Sequence, residues 1–136
     1  MVSYLMVENN RDKEILKPSF RRTDERGTFL EVLNNGHWQS LIYGQMHSGA
    51  VMGNHYHRKT EIFFFLTKGS ARIDIIHVEK GKRRRLSLEA NHGILLKTFE
   101  SHAVHFLEES EFIMLKSLRY EPDEPDTFQY PVPVSE

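Results

Sequence analysis

Two histidines separated by a single residue, His55 and His57, are followed by a carboxylate at Glu61 and then by the apolar run Ile62-Phe63-Phe64-Phe65-Leu66. No other stretch constrains this chain as much. In a β-strand, residues i and i+2 project from one face about 7 Å apart, so both imidazoles can flank one cation. The polar Arg58-Lys59-Thr60 bends or bulges the chain, and Glu61 then brings a third ligand to the same place. A carboxylate in such apolar company is costly to bury unless it is paired or metal-bound. The plain alternative is a surface strand whose histidines and glutamate face water. The run after Glu61 reads as a strand covered on both sides, with Glu61, Phe63 and Phe65 pointing with the ligands and lining a cavity.

Glycines frame this stretch: Gly49 lies six positions before His55, and Gly69 eight positions after Glu61. The arrangement resembles the first motif of the cupins, with the last glycine one place late. The resemblance implies an all-β, single-domain cupin, a double-stranded β-helix or jelly-roll barrel, with a bound metal. It says little about reaction, because one barrel hosts enzymes, storage proteins and regulators. A second cupin motif is expected later in the chain, and Lys97 to Phe106 places His102 at its ligand position. Lys97, Phe99 and Phe106 stand where that motif has proline, glycine and asparagine. His105 competes for the fourth ligand position, but it has the opposite strand parity, and His102 is the reading adopted.

At 136 residues and 39% hydrophobic content the chain reads as one domain with a real core, a barrel over roughly 13–120 and an extended tail over 121–136. Its 18 basic and 19 acidic side chains leave no global field to recruit nucleic acid or an anionic membrane. Small molecules and a second copy of the chain, a homodimer, are the expected partners. With no cysteine, any metal site must be built from His, carboxylate and water, and the cupin resemblance implies His55, His57, Glu61 and His102 as the ligands. Three histidines and a carboxylate suit zinc, and also nickel, iron or manganese. No leader pattern and no long apolar span is visible, so a cytoplasmic location is expected.

Along the chain, Tyr4–Val7 and Ile15–Phe20 read as strands around a polar turn, and Asp24 to Val32 as a turn at Gly27 and a strand. Asp24-Glu25-Arg26-Gly27-Thr28-Phe29-Leu30-Glu31 resembles a stretch of the 4-keto-6-deoxy nucleotide-sugar 3,5-epimerases, a branch of the cupins. That resemblance implies substrate-binding roles for Arg26, Phe29 and Glu31. Asn34-Asn35-Gly36 signals a hairpin, and Trp38 to Met46 a strand. Further strands are expected at Ala71–Val78, from Arg83 and at Phe112–Leu118, with a turn at Asn91-His92-Gly93. Arg83-Arg84-Arg85 reads as a solvated face. His37, His47, His77 and His92 lack ligand spacing and read as ordinary residues.

The ending Pro122-Asp123-Glu124-Pro125-Asp126-Thr127-Phe128 is similar to that of the C-terminal cupin domain of bifunctional capsular-polysaccharide reductases. The resemblance implies a metal-dependent nucleotide-sugar epimerase or ketoisomerase, acting α to a 4-keto group in surface-polysaccharide biosynthesis. If His55 holds metal it cannot also serve as base, which leaves His105, Lys97 and Tyr43 as candidates. Tyr56, between the ligands, should face away. A non-catalytic or regulatory sugar-binding cupin and a metal-dependent dioxygenase are the rival readings.

Overall fold

Runs of alternating or continuous apolar residues, punctuated by glycine turns, favour strands. The computed structural model describes residues 14–133, and all of its elements are strands. The all-β expectation therefore holds, while the strand expected at Tyr4–Val7 lies outside the described residues. Among the described residues no helix is long and apolar enough to cross a membrane.

β1 (Phe20–Asp24) and β2 (Gly27–Glu31) form a two-stranded ribbon of their own. The expected strand at Ile15–Phe20 is not formed: Leu16 makes only an isolated bridge to Gly93. Pro18 has no N–H to give a ladder, so pairing starts at Phe20. Asn34-Asn35-Gly36 joins two different sheets and closes no hairpin, and Gly36 instead takes the Trp38 ring against its backbone.

β3 (Ser40–Met46), β5 (Ile62–Lys68), β8 (His92–Leu96) and β10 (Ser110–Lys116) form one sheet in the order β3-β10-β5-β8. β4 (Val51–Tyr56), β6 (Ser70–His77), β7 (Arg83–Glu89), β9 (Glu100–Phe106) and β11 (Phe128–Gln129) form the other, in the order β11-β4-β9-β6-β7. The chain passes repeatedly from sheet to sheet, as in a jelly roll. Ala90-Asn91 make the turn before β8, with His92 and Gly93 already in the strand. The tail is not free, since β11 adds an edge strand to β4.

Ile62, Phe64 and Leu66 face the core between the sheets, with Ile73, Ile75, Leu86, Val104, Phe106 and Phe112. Phe64 is wholly buried and lies 5.1 Å from the Phe112 ring and 6.4 Å from that of Phe106. Burial of one such ring is worth about 1.5–3 kcal/mol. Phe63 and Phe65 are equally buried but lie on the outer face, stacked at 6.1 Å, with Trp38 6.5 Å from Phe63. The expectation that they share the ligands' face is corrected: β5 begins only at Ile62, so its parity does not continue from His57 across the loop.

Candidate functional site

Strict alternation from Met52, which packs on the core, would carry Asn54 inward and His55 outward. The structure reverses this with a β-bulge between Gly53 and His55 in the β4–β9 pairing. Gly53 and Asn54 both have positive φ, 109° and 59°. The extra residue shifts parity and places His55 directly across from His102.

Three imidazoles meet as a result. Ring centres lie 5.1 Å apart for His55–His57, 5.1 Å for His55–His102 and 6.3 Å for His57–His102. Each ring is tied by Nδ1 to a main-chain carbonyl: His55 to Gly53 at 3.0 Å, His57 to Asp126 at 2.5 Å and His102 to Glu100 at 3.3 Å. A carbonyl can only accept, so every Nδ1 carries a proton, and in the neutral ring Nε2 then presents a lone pair. The buried His57 Nε2 has no partner of its own. Burial drives all three below the ordinary imidazole range, His102 to about 3 with the His55 charge adding to the effect. These are neutral imidazoles, the ligand form for a metal ion.

Phe99 occupies the place of the expected motif glycine and still takes the glycine-like backbone, with φ 63°. Stacking on Tyr56 at 6.2 Å and on His77 at 6.4 Å holds it there. Tyr56 does face away from the histidines, between Phe99 and Phe128.

Glu61 is half-buried just ahead of β5, its N–H accepted by the Ser117 hydroxyl at 2.8 Å and its carbonyl accepting the Ser117 N–H at 3.0 Å. Beside His57 opens a cleft of about 600 Å³ lined by Lys116, Arg119, Tyr120, Asp126 and Phe128 among others. Lys116 has the parity of the core-facing Phe112 and Met114, and its charge helps to lower both His55 and His57. Sequence reading passed over Lys116, since a lysine ending a strand looks like surface. Its inward parity in β10 was the available signal.

The three proposed bases are not gathered at the histidines. His105 points to the opposite face of β9, where its Nε2 is 3.2 Å from Asp74 Oδ2, within ion-pair range but without hydrogen-bond alignment. Tyr43 is exposed on the outer face of β3 and donates to Glu111 at 2.7 Å. Lys97 is exposed beyond the end of β8. Arg26, Phe29 and Glu31 sit on the β1–β2 ribbon, with Arg26 paired to Asp24 at 2.6 Å and Glu31 accepting from Ser19 at 2.9 Å. None of these three lines the cleft.

The arginine run is not a solvated face. Arg84 bridges Glu14 at 2.7 Å and Glu100 at 2.8 Å, Arg85 pairs with Asp74 at 2.6 Å, and Arg83 donates to the Pro133 carbonyl at 3.1 Å.

Tetrahedral ligation at about 2.0–2.1 Å from each nitrogen sets imidazole centres about 5 Å apart. Two of the three separations have that value, and the donor chemistry fits a metal ion through the presented Nε2 atoms. As they stand, no group of three or more histidine or acidic side chains among the described residues is gathered to hold an ion. The His57–His102 pair, at 6.3 Å, is the one that stands too wide.

A family profile described as the Polysaccharide biosynthesis C-terminal domain matches residues 22–128. No curated protein matches by sequence. Among solved structures, the capsular polysaccharide assembling protein CapF from Staphylococcus aureus is similar, with 20% identity and a TM-score of 0.66 over 83% of this chain and 34% of that one. This chain thus spans about a third of that protein's length. The dTDP-4-dehydrorhamnose 3,5-epimerase from Sulfolobus tokodaii shows 23% identity and a TM-score of 0.71, over 81% of this chain and 73% of its own. The rmlC epimerase from Mycobacterium tuberculosis gives 17% and 0.69, over 81% and 65%. These likenesses establish the fold, that of a cupin.

Proposed function

Because this chain belongs to the polysaccharide biosynthesis C-terminal domain family, we propose that it is a metal-dependent nucleotide-sugar epimerase or ketoisomerase acting α to a 4-keto group. The observation that carries this reading is the set of three neutral imidazoles, each locked by a carbonyl to present Nε2, beside a cleft lined by Lys116. His55, His57 and His102, with Glu61, would hold a divalent ion, zinc in the first instance.

Proton loss from a carbon next to a ketone is far too unfavourable at neutral pH without help for the developing enolate. A divalent ion supplies Lewis acidity toward the keto oxygen. Lys116 supplies a fixed positive charge on the same side and a proton that can be delivered to oxygen or carbon. Arg58, Lys59 and Arg119 around the cleft attract an anionic diphosphate, and the Arg58 guanidinium lies 4.0 Å over the Phe128 ring. When the α-proton leaves to water in the open cleft from one face and a proton is delivered to the other face, the carbon is inverted. Protonating the former carbonyl carbon instead, with loss of the proton from the neighbouring hydroxyl, shifts the keto group. Both routes share one enolate.

The test is incubation of the zinc-loaded protein with 4-keto nucleotide sugars in deuterated water. Deuterium entering the position α to the ketone, and lost after chelation, is the expected result. Sugar bound and returned without deuterium, across thymidine and uridine diphosphate sugars, would overturn the enzyme reading in favour of a binding protein.

A further inference from the structure

We propose that Asp126, in the C-terminal tail, is the positioning residue for His57. This rests on the metal site proposed above. The Asp126 carboxylate accepts the N–H groups of three consecutive residues, Arg58 and Lys59 at 2.8 Å and Thr60 at 2.9 Å, and also the Thr60 hydroxyl at 2.9 Å. The carbonyl of the same residue accepts Nδ1–H of His57. One residue thus fixes the loop that follows His57 and the ring of His57 itself.

Burial opposes the Asp126 charge, yet the donors from Arg58, Lys59 and Thr60 hold its carboxyl below the usual range. The tail behind it is pinned independently. The Tyr130 N–H donates to the Asn54 carbonyl at 2.9 Å, the Val132 N–H to Asn54 Oδ1 at 2.9 Å and the Ser101 hydroxyl to the Tyr130 carbonyl at 2.5 Å. The carboxylate clamp to Arg58, Lys59 and Thr60 gives the Asp126 carbonyl a fixed place from which to set the tautomer and tilt of an imidazole 69 residues earlier in sequence. Partners of this kind beyond the ligands change metal affinity by roughly 10–100-fold when removed.

The experiment compares wild type, Asp126→Ala, Asp126→Asn and the tail control Glu124→Ala. In metal-free, nitrogen-labelled protein, long-range proton–nitrogen spectra report each histidine's tautomer, with the His57 signals assigned by their loss in His57→Gln. Zinc affinity is then measured by competition with a chromophoric chelator. We expect Asp126→Ala to release His57 from the Nδ1–H form, leave His102 in it, and weaken zinc by about 10–100-fold. Asp126→Asn should fall between, and Glu124→Ala should match wild type. If Asp126→Ala does not fold, Asp126→Asn carries the same readouts. An unchanged His57 tautomer in the variant, or an equal effect from Glu124→Ala, would overturn the assignment. Failure of wild type to take up zinc overturns the metal site instead, and the tautomer spectra still decide the role of Asp126.

Discussion

Gly53 and His102 are packed so closely that a Cβ on Gly53 would lie 2.4 Å from the His102 carbonyl oxygen and 3.2 Å from its ring. Together with φ 109° at Gly53, this makes the bulge that turns His55 inward dependent on glycine. Gly53→Ala should cost about 1–3 kcal/mol in backbone strain alone, with steric overlap adding to it. Denaturant unfolding and metal content check this together. Wild-type stability with wild-type metal content would contradict it.

Zinc content of the purified protein by plasma emission should be near stoichiometric. It should fall to background in His55→Ala and His102→Ala and decrease in Glu61→Gln. Loss in His55→Ala but not in His102→Ala would mean that another group completes the shell.

Acid should destabilise the chelated protein through its histidines. His102 has a folded value of about 3 against an unfolded value of about 6.5, so the unfolded chain binds the extra proton throughout that window. The contribution is fully present above pH 6.5 and is lost as pH falls toward 3. By pH 4 the loss is about 3 kcal/mol from this residue. Urea midpoints at several pH values in wild type and His102→Gln measure it, and parallel curves for the two proteins would refute it.

Lys116→Met removes the proposed proton donor without touching a ligand. Deuterium exchange into the substrate should fall by about 10²–10⁴-fold while zinc content stays at the wild-type level. Equal exchange in both proteins would remove Lys116 from the chemistry.

The β1–β2 ribbon leaves Phe20 and Phe29 about half exposed, and a two-stranded ribbon is marginal on its own. The ribbon should therefore be covered in a homodimer. Light scattering at micromolar concentration should give twice the chain mass, with Phe20→Ser/Phe29→Ser shifted toward monomer. A monomeric wild type would end this expectation.

The strand class, the turn at Gly27 and the burial of Ile62 to Leu66 could be read from period and composition, because each depends on residues close together in sequence. The facing of Phe63 and Phe65 could not, since the loop from Arg58 to Glu61 breaks the parity count. The arginine run misled for a related reason. Its partners Glu14, Asp74, Glu100 and Pro133 come from separate parts of the chain.

His55, His57 and Glu61 were candidates from their spacing and His102 from the resemblance to the second cupin motif, and the choice of His102 over His105 followed from strand alternation. Only the folded chain decided how those rings point. The bulge at Gly53 depends on pairing with β9, the tautomer of His57 depends on Asp126, and the position of Lys116 depends on the β10 register. Local spacing sets which side chains an element offers. Which atoms face one another is set by hydrogen bonds and packing between segments tens of residues apart, and those interactions leave no periodic mark on the sequence.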